Sequence, residues 1–355
     1  MTDSQNDDEA SGEGPAVTKF ELSIALQTDK TPAQYEALAG LIDGYGFDVV
    51  SVYNDLLYQP ALGPLLMLAR HLKRARLGPA VLNPYTVHPL EIAGQAALLD
   101  LATNGRAYIG LGRGAWLDAL GLDVRRPVQT LKEATLLVKH LLARRPEAFT
   151  GDVFHLTAGA TLQYEPLRAD IPIMIGTWGP RTAQVAGEVA DEIKIGGSAN
   201  PAMVNHLRPH VDAGLDLAGR ARGSVGVCLG AVTVVDEDRH AARTLARREV
   251  ALYLPVVAPL DPSMTDREWL DRVQASAGRG DYDAVARDIS DEILDTFAYA
   301  GSPDDIVRQV EGLIAGGATR VEFGTPHGLD SVHGIRLLGE RVLPRLAGRP
   351  SILPA

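Results

Sequence analysis

One cysteine, Cys228, stands among the 355 residues, so the chain can close no internal disulfide and offers no thiolate cluster. Its apolar surroundings read as those of a buried thiol. Aromatic residues are only 5% of the chain, and no run approaches the roughly 18 apolar residues of a membrane span. The first residues carry neither the basic nor the hydrophobic segment of a signal peptide, so no membrane partner and a cytoplasmic location are expected. Positive charge is short as well. Lys and Arg number 34 against 45 Asp and Glu, and the net charge of −11 repels phosphate backbones and argues against a nucleic-acid partner. Several catalytic signatures are missing: there is no Gly-x-Ser-x-Gly elbow, no P-loop lysine motif and no Gly-x-Gly-x-x-Gly turn. The histidines are scattered. His206 and His210 share a helix face without the acidic residue of a metalloprotease pattern, so no metal is expected.

What is present is a repeating pattern. Apolar residues are 46% of the chain, enough for a large core, and from Lys19 onward apolar runs alternate with helical segments. Strands are expected at 20–26, 47–53, 75–81, 106–111, 171–175, 191–195, 225–235 and 319–324, each followed by a helix. Eight strand–helix units with short connections predict an α/β fold, a (β/α)8 TIM barrel with insertions. The expected organisation is a disordered acidic tail at 1–16, a single barrel domain at 17–348 and a C-terminal tail at 349–355. A helical insertion, about 237–300, falls before the last strand, and a small hairpin is expected within 151–164.

In such a barrel the C-terminal strand ends carry the site. Those ends hold Asn54-Asp55, Asn83, Gly112-Arg113-Gly114 and Gly176-Thr177-Trp178-Gly179-Pro180-Arg181-Thr182. The last run delivers glycines to a helix that starts with proline, so free backbone N–H groups and the positive helix end suit a phosphate or carboxylate. An ordinary strand-to-helix turn would read the same way. Asp55 follows an apolar strand and either transfers a proton, orients a substrate amine or caps the next helix. On the first strand, Glu21 and Ser23 share a face with Ala25, pointing either into the barrel or outward near its closed end.

Four separated stretches, 77–85 (LGPAVLNPY), 101–122, 171–195 and 278–306, resemble the bacterial luciferase-like superfamily, most nearly its F420-dependent methylenetetrahydromethanopterin reductases. The resemblance spans about 18–345. It implies a barrel that binds the deazaflavin F420 or, alternatively, FMN. Family members carry a non-prolyl cis peptide at the end of the third strand, against the coenzyme ring; here that is Ala80-Val81. The resemblance also implies that Asn54 and Asn83 border the coenzyme, that Gly112, Arg113 and Gly114 line the pocket's other side, and that Gly176, Thr177, Trp178, Gly179 and Thr182 hold the phosphate. Two positions depart from the family. Its strand-one glutamate falls at Ser23, and its Asp-His pair after strand two is replaced by Asn54-Asp55, which leaves Asp55, Glu21 or Ser23 as candidates for the proton work. The expected activity is hydride transfer between C5 of F420 and a small organic substrate, such as a methylene-tetrahydropterin, an imine or an enone. An FMN-dependent monooxygenase and a coenzyme-binding barrel without catalysis are the alternatives. A homodimer formed through the helices at 60–72 and 90–101 is also expected.

Overall fold

The computed structural model describes residues 19–351. Eight parallel strands run β1 (Glu21–Leu26), β2 (Val49–Val52), β3 (Arg76–Pro79), β4 (Ile109–Gly112), β5 (Ile173–Gly176), β6 (Glu192–Gly196), β7 (Gly226–Val235) and β8 (Arg320–His327). Their order is β3-β2-β1-β8-β7-β6-β5-β4. The circle closes between β3 and β4, where Leu77 bridges Ala107 and Leu82 bridges Leu111 in parallel. Two glycines make this closure possible. A Cβ on Gly110 would lie 2.0 Å from the Pro79 carbonyl oxygen, and one on Gly78 would lie 2.4 Å from that of Tyr108. The result is a (β/α)8 barrel.

Helices follow the strands: α1 (Pro32–Tyr45), α2 (Leu62–Ala69), α3 (Pro89–Ala102), α4 (Pro127–Leu142), α5 (Pro180–Val189) and α6 (Ala202–Ala218). Local chemistry sets several of their ends. Thr31 and Gln34 form a capping box ahead of α1, with Pro32 in its first turn, and α1 stops at Gly46 in the left-handed region, φ 77°. After β7 the chain leaves the repeat for α7 (Arg239–Ala251), α8 (Leu254–Val257), α9 (Arg267–Gly278), α10 (Tyr282–Arg287) and α11 (Asp291–Phe297). This excursion has a core of its own around Trp269, Leu270, Val273 and Phe297. It returns through a short strand, Ala298–Gly301, which pairs in parallel with the extension of β7 at 232–235. That ninth strand is absent from the sequence expectation, because Ala-Tyr-Ala-Gly is too short to show a period. The barrel is completed by α12 (Pro303–Ala315), α13 (Ser331–Leu337) and α14 (Leu343–Leu346).

The expected hairpin forms from Phe149–Thr150 and His155–Leu156. Cys228 is fully buried in β7. The Phe20 amide donates to the Arg349 carbonyl at 2.9 Å, joining the two ends of the barrel chain. The acidic tail expected at 1–16, and residues 352–355, lie outside the described residues. Among the described residues no helix is long and apolar enough to cross a membrane.

Candidate active site

A cavity of about 550 Å³ opens at the C-terminal ends of the strands, where barrel geometry puts the least constrained backbone. The loop after β2 contributes Asn54 and Asp55, the end of β3 contributes Ala80, Val81 and Asn83, and the loop after β4 contributes Gly112, Arg113 and Gly114. Gly176, Thr177, Trp178, Gly179 and Thr182 line it from the segment joining β5 to α5. The structure thus brings Asn54, Asp55, Ala80, Val81, Asn83, Gly112 to Gly114, Gly176 to Gly179 and Thr182 to one cavity, while Pro180 and Arg181 of the same run do not line it.

Small residues shape this wall. The Ala80–Val81 peptide bond is cis, and Val81 faces Gly112 and Gly176; a Cβ on Gly112 would lie 2.7 Å from Val81 Cγ2. Two asparagines spend their side chains on the loops. Asn54 Oδ1 accepts from the Ala61 amide at 3.1 Å. Asn83 Oδ1 accepts from the Tyr85 and Thr86 amides at 3.1 and 2.9 Å. Trp178 is fixed by its indole N–H, which donates to the Gly196 carbonyl at 2.8 Å. No side chain caps α5: Gly179 precedes it, Pro180 has no N–H, and the Ala183 amide donates back to the Gly179 carbonyl at 3.0 Å, which leaves the Arg181 and Thr182 amides without a side-chain cap at the positive end of the helix. Arg113 adds an exposed cation to the same wall.

Asp55 Oδ2 accepts from Gln27 Nε2 at 2.8 Å, so this carboxylate has one fixed partner. The structure does not bring Glu21 or Ser23 into the cavity. Glu21 opens β1 at the closed end of the barrel and pairs with Arg76. Ser23 is fully buried and donates to the Val321 carbonyl at 2.6 Å. Glu21 is the first and Ser23 the third residue of β1, and no residue of β1 lines the cavity.

Beneath the cavity lies a charged floor. Lys194 on β6 reaches the cavity and pairs with Glu322 on β8, which is entirely buried. Ser51 donates to the other Glu322 oxygen, Tyr108 Oη is 2.8 Å from Ser51 Oγ, and Arg320 Nη1 is 3.7 Å from Glu322. Burial alone would push the Glu322 carboxyl up, but Lys194 and Arg320 beside it hold it below the ordinary carboxylate range. Lys194 Nζ also lies 5.3 Å from the centre of the Tyr53 ring. Burial and the Glu322 charge push the Tyr53 phenol far up, so it faces the cavity as a neutral hydroxyl. On the opposite wall, α7, the turn after it and α8 supply Glu249, Tyr253, Val256 and Val257, and Tyr253 packs 6.1 Å from the Trp116 ring.

The sequence reading passed over Lys194, Glu322 and Glu249. A signal existed for the first two: Glu192 with Lys194, and Arg320 with Glu322, put charges two apart in otherwise apolar strands, and period two places each pair on one face.

A parallel barrel with a strand-end cavity of this make, a glycine-cleared wall ending on an uncapped helix, is the arrangement of a cofactor-using oxidoreductase barrel. Residues 15–320 match the family described as luciferase-like monooxygenase, and the chain belongs to that family. It is 30% identical to a 5,10-methylenetetrahydromethanopterin reductase of Archaeoglobus fulgidus, over 92% of this chain and 100% of the relative. It is 27% identical to an F420-dependent glucose-6-phosphate dehydrogenase of Microbacterium testaceum, over 87% of this chain and 92% of that one. Among solved structures it is similar to the coenzyme F420-dependent tetrahydromethanopterin reductase of Methanopyrus kandleri. That likeness has a TM-score of 0.83 and 26% identity, and covers 93% of this chain and 100% of the other.

Proposed function

We propose that this chain is an F420-dependent oxidoreductase that moves a hydride between C5 of the deazaflavin and a small organic substrate. The observation that carries the reading is the cavity, about 550 Å³ with a glycine-rich wall that runs to a helix N-terminus no side chain caps. A planar ring system with an anionic tail needs such a shape. The relatives that name F420 support a deazaflavin over other cofactors.

When bound, the coenzyme supplies a two-electron hydride. The residues of this chain do the rest. Gly112 and Gly176 leave room for Val81, which with Trp178 would bound the ring, and the first turn of α5 with Thr182 would hold the phosphate. Fixing donor and acceptor in contact removes the entropy cost of bringing them together, which accounts for several kcal/mol of a barrier, up to about 7–11. The apolar residues Val256, Val257 and Leu260 on the far wall exclude water from the transfer. An imine, an enone or a methylene-tetrahydropterin would suit the acceptor place, the last by likeness to the reductases.

A flavin mononucleotide would meet the same wall and helix end, and the family's description makes oxygen chemistry the second reading. Anaerobic mixing with reduced F420 and either 5,10-methylenetetrahydromethanopterin or 2-cyclohexenone tests the first. Return of the oxidised deazaflavin absorbance supports it, whereas NADH-driven oxygen uptake with FMN supports the second. We further propose a homodimer and a cytoplasmic location. Exposed Met67 on α2 and Leu90, Leu98 and Leu101 on α3 support the dimer; a monomer in sedimentation at micromolar concentration would contradict it.

A further inference from the structure

Two carboxyl groups line the cavity, and their surroundings differ. Asp55 is tied to the Gln27 amide. Glu249 is half-buried on the last turn of α7, between buried Ala246 and Val250, and among the described residues its carboxyl has no hydrogen-bond or ion-pair partner. The wall around it is Tyr253, Val256, Val257 and Leu260. The other charged or titratable groups bordering the cavity are Tyr253 itself, Tyr53, Asp55, Arg113 and Lys194, and Lys194 is already paired with Glu322. A solvated glutamate on a helix face would point away from such a wall; this one contributes to it.

We propose that Glu249 is the proton-transfer group of the cavity, serving a substrate whose reducible double bond ends in nitrogen or oxygen. The proposal rests on the deazaflavin reading. In the reductive direction, a hydride taken from the reduced deazaflavin forms the new C–H bond at the substrate carbon. The π pair of the C=N, C=O or conjugated C=C–C=O moves to the heteroatom. That atom takes the proton of the Glu249 carboxyl, leaving a carboxylate. Oxidation of the reduced deazaflavin by two electrons also releases one proton to solvent, and solvent at the open mouth returns a proton to Glu249, so the sum is transfer of two hydrogens. Burial raises the carboxyl's affinity for its proton, the direction a general acid needs. It also explains how the chain dispenses with an acid on β1.

Glu249→Gln keeps the shape and removes the proton, while Glu249→Asp keeps an acid. Three readouts on full-length protein separate the outcomes. Fluorescence titration with oxidised F420 is expected to give Kd values within about threefold for wild type and both variants. Infrared titration of the F420-loaded protein is expected to show a carboxylic-acid band at neutral pH that Glu249→Gln lacks and Glu249→Asp shifts. Oxidation of reduced F420 by 2-cyclohexenone is expected to slow about 10²–10⁴-fold in Glu249→Gln, with partial recovery in Glu249→Asp. F420 bound normally with no band lost in Glu249→Gln, meaning Glu249 is already ionised, would overturn the proposal and leave the deazaflavin reading intact. Failure of the wild type to bind F420 would overturn that reading and this proposal with it.

Discussion

Lys194 and Glu322, 128 residues apart in sequence, form a buried ion pair directly beneath the cavity, with Ser51 and Arg320 on the second carboxylate oxygen. Gly230 gives the pair room: a Cβ there would lie 3.1 Å from Lys194 Cε and 3.2 Å from Glu322 Oε1. A buried pair is not in itself a source of stability, but removing one partner strands the other. Glu322→Gln would leave Lys194 with an uncompensated buried charge, while Arg320 would keep its pairing with Glu192. The expected loss is about 3–5 kcal/mol, read from the denaturant midpoint at constant slope.

The same pair gives a pH signature. Glu322 is held below the ordinary glutamate value of 4.5 in the folded chain, so its contribution is present above that value and is lost as the pH falls through and below it. In Glu322→Gln the acid side of the stability profile should be flatter than in wild type. An unchanged acid slope would show that Glu322 does not titrate with unfolding.

His327 gives a second and separable pH effect. It is buried at the end of β8, with Nε2 3.0 Å from the Ala25 carbonyl, and burial holds its pKa down at about 4 against an ordinary 6.5. Above pH 6.5 folded and unfolded forms are both neutral. Between about 6.5 and 4 the unfolded chain takes up a proton that the folded one refuses, so stability falls as pH is lowered through this window, by about 3 kcal/mol in all. Denaturant titrations at pH 7, 5.5 and 4.5 in wild type and His327→Gln check it; the variant should lose the slope between pH 6.5 and 4.5.

Gly112 tests the coenzyme wall without touching a polar group. Gly112→Ala would bring a methyl to 2.7 Å from Val81 Cγ2, so Val81, which lines the cavity, must shift. Affinity for F420 is expected to fall about tenfold or more, corresponding to about 1.4 kcal/mol, with the circular dichroism spectrum unchanged. An alanine variant that binds as tightly as wild type would place the ring elsewhere.

The wall of the site was legible in the sequence because it is made of local chemistry. Asn83-Pro84, Gly112-Arg113-Gly114 and Gly176 to Thr182 interrupt apolar strands with residues that turn, expose backbone or begin a helix, and each can be read within a few positions. The strand count followed from the same punctuation. The floor and the far wall were not legible. Lys194 meets Glu322 only after β6 and β8 are set on either side of β7 in one closed sheet, and that register is a property of the whole circle. Glu249 sits in an arginine-rich helix whose composition reads as a solvated face; the excursion folding back over the barrel mouth turns that face inward. Ser23 and Glu21 failed as site residues for a matter of height. Facing the barrel interior is not enough, because no residue of β1 reaches the cavity.

The most direct test of the account is a fluorescence titration of the purified protein with F420 and, separately, with FMN. Saturable binding of F420 at low micromolar concentration or tighter, with FMN bound at least about tenfold more weakly, is the predicted result. Binding of FMN in preference to F420 would contradict it and move the chain to flavin chemistry, and binding of neither would leave the cavity without its proposed occupant.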